Sequence, residues 1–568
     1  QTNRKNMKKI ILSLALAIIA SQAIAQKNEI TYRSFQKDVK QQDTTHTIIY
    51  RNQDQIAIQT PLDLQEYNPI EGLPLETLFI DYQTSTITRQ LEYTDGQTYT
   101  GSTQIPDTKR LTLQGEETIL GYKCQKYTTS INSNSIEIWI TQDLNMNATP
   151  FAQFSGLKGT MVQYIRNGSQ ITQLHTNTKL NKKAKIITQP KENTTQVSLR
   201  QLDQIEKDKK VITTNIFNKQ RIHWGDTTHH QGPMPLDTTL HFAGGTLILK
   251  KINLKHLPDH YQIFAELTTQ SSGDAYDRTG SIFIIPQDSI TFYDALTKGI
   301  DSLPYFTSKK GSKYQGMTAT PHYTPIVELI RFFTPFGVGH FNDIVQIDGL
   351  EWQEEVYYKQ EITDLKPYLQ GEVLIGAFIG NYDGGGHLLS LDIKAYPGDY
   401  VNHSSNKKQW ILPLFNTCNV MEMAGQNYPH FFDTDTLSVA FEIPEGIKQL
   451  RLRYITTGHG GWGGGDEFNP KPNNIIIDDT ITYQYTPWRE DCGRYREWNP
   501  VSGNFWNGLS SSDLSRSGWC PGTATQPTYI YLDNLTPGIH TIKIAIPQGA
   551  AEGGSFSSWS VSGVLIGE

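Results

Sequence analysis

Cysteine is scarce, with four in 568 residues: Cys124, Cys418, Cys492 and Cys520. An even count in an exported chain permits two disulfides in three connectivities. Cys492 and Cys520 would close a loop within one region, whereas Cys124 and Cys418 sit in different regions and read as buried free thiols. Charge is sparse too. Asp, Glu, Lys and Arg make up 19% of the chain, the net charge is -7, and no Lys/Arg block stands out. That balance excludes a nucleic-acid binder. No long apolar run follows residue 25, so no membrane span is expected in the mature chain. Also absent are a phosphate-binding P-loop, a Gly-x-Gly-x-x-Gly between strand and helix, and a Gly-x-Ser-x-Gly elbow. His229-His230 is the only histidine pair, and no spaced acid or cysteine completes a metal site around it. It reads as a solvated loop, and neither metal nor cofactor is expected. By elimination, a hydrolase would have to work with two cooperating carboxylates.

The one long apolar run belongs to residues 1–25. Met7-Lys8-Lys9 is a basic start, Ile10 to Ala20 is apolar, and Ala23-Ile24-Ala25 is a small-residue cleavage site. This reads as a signal peptide that places the mature start near Gln26. Gln1 to Asn6 read as upstream sequence. No cysteine follows the cleavage site, so no lipid anchor is expected, and the mature protein is placed outside the cell or in a periplasm.

What is abundant is aromatic and β-forming. Aromatics are 11% of the chain, with 28 Tyr and 10 Trp, as suits an exported β protein handling polar ligands such as glycans. Residues 26–180 read as short strands bounded by Asn, Gly and Asp, for example Ile136-Glu137-Ile138-Trp139-Ile140. Residues 181–210 turn polar and charged and read as a linker, with one short helix around Val197 to Lys207. From residue 211 the strands resume in two groups, 211–396 and 397–568, parted by Pro397-Gly398-Asp399. Each group holds seven or eight short strands with regular turns. The expected fold is all-β: two antiparallel sandwiches preceded by an accessory β-rich domain.

Two stretches gather candidate chemistry. The first is Gly458-His459-Gly460-Gly461-Trp462-Gly463-Gly464-Gly465-Asp466-Glu467-Phe468-Asn469. It sets a Trp and two acids in a run too glycine-rich for a helix or a regular strand. A sugar ring needs such an apolar face with acceptors beside it; the competing reading is a solvated hairpin tip. The second is Gly273-Asp274-Ala275-Tyr276-Asp277-Arg278-Thr279-Gly280, just before an apolar strand. Arg278 would lower the pKa of Asp277 and keep it ionised as a base. A turn aspartate merely paired with an arginine is the competing reading.

The two stretches, with Arg331-Phe332-Phe333-Thr334-Pro335-Phe336-Gly337 and Arg516-Ser517-Gly518-Trp519-Cys520-Pro521-Gly522, resemble the peptide:N-glycosidase F family in order and spacing. The resemblance covers residues 211–568. It implies two adjacent eight-stranded jelly rolls with a site between them. It implies an amidase that cleaves the bond from Asn to the first N-acetylglucosamine of N-glycans on glycoproteins and glycopeptides. Asp277 and Glu467 match the family's essential acids, Arg278 and Arg516 its nearby arginines, and Cys492–Cys520 a family disulfide. Tyr276, Trp462, Phe468, Trp519, His459 and Asp466 are then expected to line the substrate. A monomer is expected.

The sequence also departs from the family. Gly465 and Asn469 stand where a second disulfide would bracket the Glu467 loop, and the family's third acid falls near Phe378. Asp383, in Asn381-Tyr382-Asp383-Gly384-Gly385-Gly386, is the substitute considered, against a plain hairpin turn. His459 and Gly461 take the places of a Trp and a His beside the first sugar. A wider pocket admitting a 3-linked core fucose is one consequence; Trp462 swinging in to fill it is the other. Upstream, Gly121-Tyr122-Lys123-Cys124 and Gly156-Leu157-Lys158-Gly159 resemble a class of exported β-rich bacterial proteins with a degenerate Gly-Leu-Pro-Gly-Leu-Ile motif and no known chemistry. A non-catalytic glycan-binding pair of jelly rolls and an endoglycosidase with two carboxylates remain the alternatives.

Overall fold

The structure, a computed structural model, describes residues 27–37, 45–59, 74–225, 230–398, 409–460, 464–501, 511–551 and 555–568. The expected signal peptide lies outside the described residues, as do His229, Gly461 and Trp462. The chain divides into two compact units, one ending at Val211 and the other running from Ile212 to Glu568. No helix among the described residues is long and apolar enough to cross a membrane.

The first unit is one twelve-stranded sheet. Thr112–Ile119, Tyr122–Ile131, Asn134–Thr141, Thr160–Arg166 and Gln170–Lys179 follow one another as antiparallel neighbours and then meet the first strand, Lys27–Gln36. From there Thr45–Asn52, Gln55–Gln59, Leu75–Asp81, Thr86–Glu92 and Thr98–Gln104 continue the sheet. Alternation explains the pairing: Ile30 and Tyr32 are buried while their neighbours are part-exposed, so one face of the strand carries the core. Gly159 has φ +114°, and a Cβ there would sit 2.6 Å from the Thr141 carbonyl oxygen, which is why the motif needs glycine.

The segment expected as a linker, 181–210, packs on this sheet instead. Thr195–Gln196 adds a parallel strand to Thr98–Gln104. Ser198 caps the helix Leu199–Lys210 through a reciprocal box with Gln201. Leu202 of that helix is fully buried with Leu91 and Tyr93, and Arg89 pairs with Asp203 at 2.6 Å and with Glu206. A polar helix that buries one leucine carries too weak a periodic signal to be told from a linker by composition.

The second unit holds two sandwiches. In the first, the sheet Ile212–Ile222, His387–Pro397, Tyr261–Ser271, Glu355–Glu361 faces a six-stranded sheet. The latter runs Thr239–Phe242, Leu247–Leu254, Gly371–Ile379, Thr279–Ile285, Val327–Phe333, and is completed by Ala524–Thr525 from the far end of the chain. The second sandwich pairs two four-stranded sheets: Trp410–Asn416, Ser557–Gly567, Arg451–Gly460, Thr528–Tyr531 against Leu437–Ile443, Gly538–Ala545, Asn473–Ile477, Thr480–Tyr485. Strand alternation such as that of Leu437–Ile443 supplies the apolar faces.

A buried ionic network joins the sandwiches. Arg331 donates to Glu328 through Nε (2.9 Å) and Nη2 (2.7 Å), and through Nη1 to the Thr457 hydroxyl (3.1 Å). Arg453 donates to the carbonyls of Glu328 (2.9 Å) and Leu329 (3.1 Å), and Ser281 and Ser562 hydroxyls complete Glu328. All lone pairs of the carboxylate are engaged, the condition under which a buried pair is tolerated. The network fixes the strand that starts at Thr279 against the strand that ends at Gly460. Those two strand ends carry the candidate acids.

Candidate active site

Asp277 and Glu467 meet across the junction, and Arg516 bridges them. Arg516 Nη2 lies 3.2 Å from Asp277 Oδ2, and its Nε donates to Glu467 Oε1 at 3.0 Å. Arg516 is 1% exposed, so the bridge is made away from bulk water. The three residues come from segments 239 and 49 positions apart. Glu467 is seated further by the Gly460 amide, which donates to Oε2 at 3.3 Å. Gly460 has φ +76°, and a Cβ there would fall 2.0 Å from the Phe556 carbonyl oxygen, so the turn into the acid loop requires glycine.

The Asp277 loop is clamped from its own sandwich. Thr334 donates from its hydroxyl to the Tyr276 carbonyl (2.9 Å), accepts from the Arg278 amide (2.7 Å), and donates its own amide to the Arg278 carbonyl (3.0 Å). Burial drives the Asp277 carboxyl up to about 7; Arg516 opposes the shift, and Glu467 adds to it. The expected pairing with Arg278 is not made, and the expected downward shift is reversed. Arg278 turns back to Asp274, donating from Nε at 2.7 Å and from Nη2 at 3.2 Å. The loop curls, so the residue four back faces the guanidinium while its chain neighbour faces Arg516. Asp274 is not among the residues expected at the site, although its spacing of four to Arg278 is a readable signal. Burial would raise the Asp274 carboxyl, but His387 and Arg278 bring it down to about 2.

Several expected substrate contacts are structural. Asp466 is fully buried and accepts from Trp559 Nε1 (2.7 Å) and the Gly549 amide (3.0 Å). It anchors the loop, and its neighbour Glu467 points the other way. Trp519 is 3% exposed, stacks on Phe333 at 4.2 Å, and donates Nε1 to the Gly458 carbonyl (2.9 Å). It supports the floor rather than offering a face. His459 bonds Thr457 Oγ1 at 2.7 Å and packs on Phe333 and Trp519, and burial lowers its pKa to about 3, so it is neutral. Asp383 accepts from the amides of Gly385 (2.6 Å) and Gly386 (3.4 Å), which makes it a turn residue and not a third acid. Phe378 is buried in the first sandwich.

Two exposed tyrosines flank Arg278. Tyr276 is 56% exposed and Tyr382 is 54% exposed, and their rings lie 4.8 and 5.5 Å from the Arg278 guanidinium. Phe468 is half-buried, with its ring 5.1 Å from the Arg516 guanidinium. Cys492 and Cys520 form a disulfide, and Cys124 and Cys418 are free and buried. Arg489, close to Cys492, pairs by backbone with Arg516 at 2.9 and 3.0 Å. Where the second bracket of the acid loop was missing, Asn469 Nδ2 donates to the Gly465 carbonyl at 2.8 Å. No group of three His, Cys, Asp or Glu that could hold a metal occurs among the described residues.

Three family models match the chain. They are Peptide-N-glycosidase F, N terminal, over residues 213–395; Peptide-N-glycosidase F, C terminal, over 427–566; and N-glycanase peptide, N-terminal domain, over 30–218. Two solved structures of PNGF-II are similar over 96% of this chain. One is 41% identical, covered over 98% of its length, with a TM-score of 0.76. The other is 42% identical, covered over 99%, with a TM-score of 0.81. PNGase F from Flavobacterium meningosepticum is 16% identical over 63% of this chain and 96% of that one, with a TM-score of 0.41. No curated protein matches the chain.

Proposed function

The chain belongs to the peptide-N-glycosidase F family, and from that premise we propose that it hydrolyses the amide between Asn and the innermost N-acetylglucosamine of N-glycans. The observation that carries this reading is the buried Arg516 bridge holding Asp277 and Glu467 together. Asp277, with its pKa near 7, takes a proton from water as the oxygen attacks the side-chain carbonyl carbon. The carbonyl π electrons move onto oxygen. Arg516 Nη1, buried and without a hydrogen-bond partner among the described residues, offsets that charge. When the intermediate collapses, the C–N bond breaks and nitrogen leaves with a proton returned from Asp277. Glu467, held by Arg516, orients the sugar and the nitrogen. The products are an Asp peptide and a glycosylamine, which loses ammonia in water.

Tyr276 supplies an exposed face beside Asp277 for a sugar or peptide group. The Cys492–Cys520 disulfide supports an oxidising compartment, in line with export. Tolerance of a 3-linked core fucose forms part of the reading, on the sequence position of Gly461 and on His459 being drawn back to Thr457. A preference of about a hundredfold in kcat/KM against the fucosylated glycopeptide would refute that part.

One assay tests the reading against its alternatives: the mass of a glycopeptide after incubation. Conversion of Asn to Asp supports the amidase. A peptide retaining N-acetylglucosamine means an endoglycosidase, and an unchanged peptide means binding alone.

A further inference from the structure

Arg278 adjoins Asp277 in the chain yet makes no ion pair with it, and this separation is built. Asp274 has a fully buried side chain. It receives Arg278 through two nitrogens and the Tyr276 amide at 3.1 Å, and the fully buried His387 Nε2 lies 3.5 Å from its Oδ2. The Ser271 hydroxyl donates to the Asp274 carbonyl at 2.6 Å, so the residue is held by backbone as well. Two charged side chains are thus engaged with each other directly behind the candidate base.

We propose that Asp274 is a positioning residue acting through Arg278: it aims the guanidinium away from Asp277 and cancels its charge, leaving Arg516 as the one cation among the described residues that Asp277 meets directly. This rests on the reading of Asp277 as the group that must ionise for hydrolysis. The groups facing Asp277 can be taken element by element. From the second sandwich come Arg516 and Glu467, with His459 neutral. From the strand end at Thr334 comes no charge. From its own loop come Arg278 and, behind it, Asp274, and from the start of the strand His387–Pro397 comes His387, against Asp274. Arg278 acts to lower the Asp277 pKa, but it ranks behind burial, Arg516 and Glu467. The carboxylate of Asp274, bonded to two nitrogens of Arg278, opposes that influence: a compact ion pair has a much weaker field at a third group than a lone cation has.

The experiment is the pH profile of kcat/KM on a short glycopeptide. Asp274→Asn leaves Arg278 uncompensated, which favours ionised Asp277. The acidic limb should move down by about half a pH unit or more, with kcat reduced at the plateau because the base is weaker. In Asp274→Asn/Arg278→Met both charges are gone, and the limb should return to the wild-type position although the rate stays low. A merely structural Asp274 would reduce rate without moving the limb. An unmoved limb in the single variant, or an equal shift in the double variant, overturns the proposal. Should Asp274→Asn fail to fold, Arg278→Met alone decides: it leaves Asp274 uncompensated, so the limb should move up, and an unmoved limb overturns the proposal. The underlying reading is tested separately. If Asp277→Asn keeps near-wild-type activity, that reading fails; if it is inactive while the limbs above do not move, only the role of Asp274 fails.

Discussion

Asp274 and Asp277 lie on one loop and are shifted in opposite directions, and this sets their pH behaviour. Asp277 has an ordinary value of 3.8 and is raised to about 7 in the fold. Its contribution to stability is therefore full below about pH 4 and is lost as pH rises through about 7. Asp277→Asn removes that penalty, so the variant should melt higher than wild type above pH 7 while losing activity by about a thousandfold or more. A variant that melts lower at pH 8 would contradict the stability half of the argument, and activity within about tenfold of wild type would contradict the catalytic half. Asp274 behaves oppositely: depressed to about 2, it stabilises above its ordinary 3.8 and loses that contribution as pH falls toward 2. For Glu467→Gln a kcat loss of about a hundredfold is expected, the scale of one preorganised electrostatic group. A change in melting temperature alone would make Glu467 a structural loop acid. The acids themselves were legible through the family-like motifs. Which way each side chain points was not. Asp466 and Glu467 are adjacent in a loop and face opposite sides, and nothing in their order says which one takes Trp559 and which takes Arg516.

At the scale of elements, the strands were largely readable because alternation and β-branching are local properties. Ile136 to Ile140 falls inside Asn134–Thr141, and the apolar strand expected after the Asp277 stretch is Thr279–Ile285. The helix Leu199–Lys210 was placed within a few residues, but its docking was not, since one buried leucine decides it. Nor could the Arg331–Glu328–Arg453 junction be read, because partners 125 residues apart meet only after both sandwiches form. The acid loop shows how elements hold the site. Gly465 and Asn469 replace a covalent bracket by one hydrogen bond, so the buried Asp466 carries more of the anchoring. Asp466→Ala should destabilise the protein by about 1–3 kcal/mol through the orphaned Trp559 and Gly549 donors, and should lower kcat through Glu467. Unchanged activity in a variant with a lowered melting temperature would uncouple the anchor from catalysis. Cys492→Ser/Cys520→Ser should lower stability by about 2–5 kcal/mol and reduce activity, since the segment carrying Arg516 runs into Cys520.

Over the whole molecule, all the residues that form the candidate site lie in the unit from Ile212 to Glu568, which has its own cores and its own buried ionic junction. The unit ending at Val211 has a separate core, in which Ile30, Tyr32, Ile49 and Ile80 pack together, and a helix that closes on its own sheet. A chain whose apolar burial is divided in this way is expected to fold in parts, because each unit carries its own core. The family models divide along the same line, one matching 30–218 and two matching 213–395 and 427–566. The polar stretch around Lys207-Asp208-Lys209-Lys210 lies just before the division at Val211, and it is helical and docked. Residues 212–568, expressed alone, should therefore fold cooperatively and hydrolyse short glycopeptides, with any loss concentrated on large glycoproteins that the first unit could help to dock. Circular dichroism and a single melting transition would report the fold, and the Asn-to-Asp mass shift the activity. A well-folded 212–568 that is inactive on short glycopeptides would mean that the first unit contributes directly to the site.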